Sequence, residues 1–218
     1  MVLEKDIEGF KVDLSNLWEL CRLFDGYTAD IAKKLVDLNK FSMALIKILD
    51  FYTNEKESKQ LYSFELDEKE YKRLLQNHIS DNSLIEKCID LKKDINKRIM
   101  EIYAYIFGGN NSIYDKLQII QKEKKLLEKF FRENGWWSRD TMLESFINNL
   151  NEWFSFWFIL LTNIKKWNNN KYSIIDMLRA INEIKLKRRL KREKDLFDIL
   201  IENKVELDMM LEEYSKIG

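Results

Sequence analysis

Proline is absent from all 218 residues, glycine occurs only six times, cysteine twice and histidine once. A chain of this length carries about ten prolines at average usage. Proline interrupts helix interiors, whereas sheets and irregular loops lean on proline and glycine for their turns. The double shortage therefore points away from a β-rich fold and toward a few long helices.

The other scarcities narrow the chemistry. Cys21 and Cys88 have no partners at metal-ligand spacing, and each sits in an apolar helical pattern, so both are expected to behave as small buried hydrophobes. Two thiols in a chain without a disulfide framework suggest a reducing compartment. One histidine leaves no pair for zinc, there is no Glu-x-x-His for a di-iron bundle, and "GGNNS" lacks the spacing and lysine of a phosphate loop. Asp90 and Asp94 in "DLKKD" stand one turn apart without a second acidic cluster, which reads as solvent exposure. No metal and no cofactor is expected, and with so few groups for acid-base work the chain reads as a non-enzyme.

Long hydrophobic runs are missing too. The longest charge-free apolar run, Trp153 to Ile164, is 12 residues, against about 20 for a membrane-spanning helix. The start, "MVLEKDIEGF", has acidic residues where a signal peptide needs a basic and then an apolar stretch. The expectation is a soluble, cytoplasmic protein with no membrane partner.

What the chain does have is apolar residues at alternating spacings of three and four, the mark of a packed helix seam. Leu14, Leu17, Trp18, Cys21 and Phe24 form a first seam that ends at "DGY". Thr28 or Asp30 is then expected to cap a second helix carrying Ile31, Leu35, Leu38, Leu45, Leu49 and Tyr52, with Ser42 the one residue out of pattern, running to about Tyr62. Asp67 opens "DEKE", a capping-box-like start to a short helix through Tyr71, Leu74 and His78. After "SDNS" comes a longer seam of Ile85, Cys88, Ile95, Ile99, Ile102 and Ile106, stopped by "GGNN" at 108–111. Ser112 is expected to cap a helix ending at Gly135. Leu143, Phe146, Leu150, Trp153, Trp157, Leu160, Ile164 and Trp167 then fill every seam position of the next. Ser173 caps the last, which holds a heptad register through Leu186, Leu190, Phe197, Leu200, Leu207, Leu211 and Tyr214, with Glu193 and Lys204 as exceptions. The fold class predicted is all-α: one domain, residues 1–218, an elongated bundle of six or seven helices. Its C-terminal helix is very long, about 173–215, and 108–111 is a weak internal boundary.

Charge is distributed unevenly. The formal net charge is zero, yet "KLKRRLKREK" at 185–194 packs seven basic residues and one acidic one into ten positions. Lys185, Lys187, Arg188, Arg189, Lys191, Arg192 and Lys194 wrap most of a helix and leave a narrow seam of Leu186 and Leu190. Such density suits a phosphate backbone, because each neutralised phosphate releases counterions. The acidic run that follows (Asp195, Asp198, Glu202, Glu206, Asp208) offers a second use, antiparallel pairing with another copy or docking on a partner helix. A solvated helix face with local ion pairs of a few tenths of a kcal/mol is the third.

Two other groups stand out. In "WFSFWFILL" Trp153, Trp157 and Leu160 lie on the seam, widened by Phe154, Phe158 and Leu161, while Phe156 and Ile159 project toward a polar side. With Trp136 and Trp137 beside Gly135, these form a candidate partner-binding set. Arg73 and His78 form "RLLQNH", an Arg-x4-His spacing that is similar to the bare active-site pattern of the HEPN ribonuclease superfamily, whose members are helical bundles. In that pattern the histidine would serve as general acid or base and the arginine would act on the scissile phosphate. It covers two residues in six, and the polar residue usual after the arginine is Leu74 here.

The reading is therefore a helical binding protein that contacts nucleic acid or a ribonucleoprotein through 185–194, independently of sequence. The alternatives are a helical assembly protein or homo-oligomer using its C-terminal coiled-coil seam and, third, a HEPN-like ribonuclease.

Overall fold

A computed structural model describes the backbone of residues 2–53, 58–133, 141–170 and 172–190, and side-chain packing for most residues between Leu23 and Ile184. Among these residues every regular element is a helix. They are α1 (Val2–Tyr52), α2 (Ser58–Leu61), α3 (Glu68–Gln76), α4 (Asn82–Phe107), α5 (Ile113–Glu133), α6 (Thr141–Asn168) and α7 (Ile174–Leu190). The only strand-like pairing among them is an isolated bridge between Ser63 and Ser173. The all-α class holds. The expected C-terminal helix is described only as far as Leu190, and residues 191–215 of it lie outside the described residues.

The long helix that is described lies at the other end of the sequence. The expected break at "DGY" does not occur, and α1 is one helix of 51 residues that passes straight through Gly26. Thr28 is not a cap. Its hydroxyl donates to the carbonyl of Phe24 one turn back, at 2.7 Å, an accommodation that threonine makes inside helices. The reason is that the 3-4 seam continues without a phase shift from Phe24 into Ile31, Leu35 and Leu38, all buried. A single glycine costs a helix only about 1 kcal/mol relative to alanine, less than burial of that seam returns. Gly26 is exposed and has nothing within 4 Å of the position a Cβ would take. Gly26→Ala is accordingly expected to raise stability by about 0.5–1 kcal/mol, read from urea unfolding.

The other end of α1 also differs from expectation. The helix stops at Tyr52, not Tyr62. Thr53 follows it outside the helix, and the short α2 begins at Ser58.

Caps behave as their side chains dictate. Asp67 accepts from the Glu70 N–H at 2.8 Å and starts α3. Asp81 does the same for α4 through Ser83. Ser112 and Asp115 form a reciprocal pair, with the Asp115 N–H donating to the serine Oγ at 3.1 Å and the Ser112 N–H donating to the aspartate at 3.0 Å. Ser173 receives the Asp176 N–H at 3.1 Å. In "GGNN", Gly108 caps α4 in an extended conformation and Gly109, with φ 79°, takes the left-handed turn. A Cβ at Gly108 would meet the Ala104 carbonyl oxygen at 2.3 Å, so the cap has room for glycine alone. Asn111 and Asn170 supply further left-handed residues, at φ 64° and 55°.

The chain forms two compact units, one of residues 1–29, 109–158 and 187–218, the other of 30–108 and 159–186. In the second unit α1 and α4 run antiparallel. Tyr105 donates to Asp30 at 2.9 Å and underlies Lys34, while the Arg98 guanidinium lies 3.6 Å above the Phe41 ring. The core of this unit combines the α1 and α4 seams with Leu160, Ile164 and Trp167 of α6 and Ile174, Met177 and Ile181 of α7, all at most 2% exposed. Ser42, the residue out of pattern, is fully buried and satisfied by donating to the Leu38 carbonyl at 2.8 Å. In the first unit Trp157 is fully buried, with Phe24 edge-on at 5.0 Å and Tyr27 edge-on to Phe24 at 5.4 Å.

Candidate functional site

The segment before the basic block is firmly anchored. Along α7 the residues Ile174, Met177, Leu178, Ile181 and Ile184 are buried, and Asp176 pairs with the exposed Arg179 at 3.7 Å. The tether between 62 and 64 adds to this, since the Phe64 N–H donates to the Tyr172 carbonyl at 3.2 Å and the Ile174 N–H to the Tyr62 carbonyl at 2.9 Å. The Phe64 and Tyr172 rings stack over the same junction at 4.7 Å. Lys185 is the next residue after the last of these buried positions. The backbone positions of Lys185, Lys187, Arg188 and Arg189 are on α7, with no acidic residue among 185–190. Lys191, Arg192 and Lys194 lie outside the described residues.

Of the expected partner-binding set, only Phe156 and Ile159 are among the described residues. Trp136 and Trp137 lie outside the described residues. Phe156 and Ile159 are half-buried, Phe156 edge-on to Trp157 at 5.9 Å. Among the described side chains of α6 the large exposed ring is Phe158, 71% exposed, although the seam spacing places it against the core. Arg73 is exposed near the end of α3, and His78 is half-buried two residues beyond the helix, after the cap residue Asn77. The His78 N–H donates to the Leu75 carbonyl at 3.0 Å. Leu75, rather than Leu74, is the fully buried leucine of α3.

One polar cluster escapes sequence reasoning. Lys92 of α4 is 8% exposed. Its Nζ donates to the carbonyls of Leu66 at 2.9 Å and Ser63 at 3.4 Å, and stands 4.2 Å over the Tyr71 ring and 5.5 Å over that of Phe64. Burial lowers the ammonium pKa to about 8, and the nearby Asp67 carboxylate offsets part of that. Burial also pushes the Cys88 thiol up to about 11 and the Tyr71 and Tyr172 phenols well above their ordinary range. The signal is nonetheless in the sequence, because Lys92 takes the seam position between Cys88 and Ile95. A lysine there must find acceptors for its head, and a non-helical turn is where backbone carbonyls are free to serve. In "DLKKD" the acids are the conspicuous residues. Asp90 is exposed and Asp94 pairs with Arg98 at 3.7 Å, so the member of that run with a structural task is the lysine.

A cavity of about 230 Å³ opens between α1 and α4, lined by Lys34, Asp37, Asp94, Lys97, Arg98 and Glu101. Its walls mix both signs of charge and are mainly polar, unlike the apolar lining that holds small ligands. Among the described residues no three His, Cys, Asp or Glu side chains are placed to hold a metal ion, and no helix is long and apolar enough to cross a membrane. Cys88 is a free, buried thiol, as its apolar surroundings in the sequence imply.

By fold, then, this is an all-α protein with a dense basic run carried on from a well-anchored helix. No protein-family model, curated protein or solved structure matches the chain.

Proposed function

We propose that the protein is a non-enzymatic, cytoplasmic helical binding protein that holds nucleic acid, or a ribonucleoprotein, through Lys185, Lys187, Arg188, Arg189, Lys191, Arg192 and Lys194. The observation that carries this reading is the concentration of seven basic residues in ten positions on a chain of zero net charge. The anchoring of α7 supports it, because a helix fixed by its buried seam presents successive phosphate contacts without ordering each one separately. Contacts of this type fix position on a backbone and carry no base information. Oligonucleotides of different base sequence are thus expected to bind with similar affinity.

The test compares fluorescent oligonucleotide binding by the wild type and by an Arg188/Arg189/Arg192→Glu variant of matched helicity. Reversing three contacts is expected to weaken binding by about 100-fold or more at low salt. Equal binding by both proteins contradicts the assignment of the site.

The second reading, a helical assembly protein, rests on the heptad seam that continues through Leu200, Leu207 and Leu211. It expects an oligomer that dissociates when these three become polar. RNA cleavage that disappears in His78→Ala, with folding and RNA binding retained, would establish the HEPN-like reading in place of both.

A further inference from the structure

The packed side of α7 and its two last leucines do not share a face. Ile174, Met177, Leu178, Ile181 and Ile184 are the buried residues among the described side chains of that helix. At about 3.6 residues per turn, Leu186 and Leu190 fall about 160° around from the centre of this seam. The seam that packs α7 is thus not the one that the leucines begin. The apolar side changes between Ile184 and Leu186, and Leu186 is also the residue at which that stretch of the second compact unit ends.

What continues the packed side is charge. The backbone of α7 is one helix from Ile174 to Leu190, so helical phase carries across the change. Position 188, an arginine, lies about 15° from the centre of the seam, and position 185, a lysine, about 45°. Lys187 and Arg189 lie farther off, about 115° and 85° from the seam and each about 80° from the leucines. A helix side buried for about three turns that then carries Lys185 and Arg188 has reached the edge of its core at Ile184. Burying those cations would require close partners, and 185–190 contains no acidic residue. The leucine side is the opposite case, since it has nothing to offer a polyanion and gains from being covered by apolar surface.

We propose that the side of α7 that continues its buried seam, centred on Lys185 and Arg188, makes the direct phosphate contacts to nucleic acid, with the leucine side turned away and Lys187 and Arg189 at the margins. The proposal rests on the nucleic-acid reading and narrows it to one face of the helix. An arginine at the centre of that face supplies a planar fork that matches two phosphate oxygens at once, and a lysine one turn before it supplies a point charge. The marginal pair contributes to the wider positive field, which salt screens.

The experiment compares two full-length double variants, Lys185/Arg188→Gln and Lys187/Arg189→Gln. Each removes one lysine and one arginine, so their charge and composition match, and glutamine keeps helix propensity. Binding of fluorescent duplex DNA is followed by anisotropy at several salt concentrations, with circular dichroism to confirm equal helix content. Lys185/Arg188→Gln is expected to weaken binding by about 30-fold at low salt and to make the slope of log binding constant against log salt shallower by about 2. Lys187/Arg189→Gln is expected to weaken it by about threefold, with the slope shallower by about 1 at most. Arg188→Lys, which keeps the charge and loses the fork, is expected to cost about fivefold with the slope unchanged. Equal losses in the two double variants, or a larger loss in Lys187/Arg189→Gln, overturn the one-sided grip while leaving the nucleic-acid reading in place. A wild type that binds no DNA overturns both.

Discussion

Trp157→Ala is expected to lower unfolding free energy by about 3–5 kcal/mol, the upper range for a single truncation in a protein core. The side chain is fully buried, and the edge-on Phe24 at 5.0 Å would be left facing a void. Three terms add: the transfer energy of a large ring, the unfilled space around it, and the aromatic contact with Phe24, worth about 0.5–1.5 kcal/mol beyond area. Trp157→Phe keeps part of the volume and is expected to lose less than half as much. Urea unfolding followed by far-ultraviolet circular dichroism reads both values without depending on the removed fluorophore. A loss below about 1 kcal/mol for the alanine variant would show that Trp157 is not the centre of its cluster.

The second large effect is a pH dependence controlled by Lys92. In the folded chain its pKa is near 8, and in the unfolded chain it returns to about 10.5. Between those values the unfolded state binds more protons than the folded one, so stability rises with pH across that window. Burying the charged ammonium costs stability at neutral pH, and the folded protein escapes the cost by releasing the proton first. The groups around the ammonium are Asp67 and Tyr71 from the start of α3 and Cys88 on its own helix. The thiol opposes the trend from about pH 9 to 11, because it stays protonated in the fold while the unfolded thiol ionises. The phenols of Tyr71 and Tyr172 oppose it above pH 10 by the same logic. Subtracting the unfolding free energies of Lys92→Met from those of the wild type isolates the lysine. That difference is expected to move in favour of the wild type by about 1 kcal/mol between pH 7 and pH 9. A difference that is flat with pH contradicts the burial of a proton-releasing lysine.

How far the sequence reveals such features depends on whether they repeat. The α4 seam is legible residue by residue, since Ile85, Cys88, Ile95, Ile99, Ile102 and Ile106 are all buried. The caps at Asp67, Ser112 and Ser173 are legible for a related reason, being short polar side chains placed immediately before a seam. Sequence reading fails where a local preference must be weighed against distant packing. Gly26 reads as a stop, yet α1 continues because the hydrophobes beyond it keep phase with those before. Lys92 occupies a seam position without announcing its role, because periodicity marks where a residue lies and not which carbonyls wait there. Phe156, Phe158 and Ile159 belong to one unbroken aromatic and aliphatic stretch of α6, and tertiary packing decides which ring is exposed.

The basic run is a different case. Its charge is fully visible in composition, and α7 gives its first half a firm base, but charge alone names a class of partner through its ionic-strength dependence. The decisive measurement is therefore the slope of log binding constant against log salt concentration for duplex DNA, in the wild type and in Arg188/Arg189/Arg192→Glu. Phosphate contacts from most of the seven basic residues give a wild-type slope of about −4 to −6, and the variant's slope is expected to be shallower by about 3. A wild-type slope near zero, or one that the substitutions leave unchanged, contradicts a phosphate grip at 185–194.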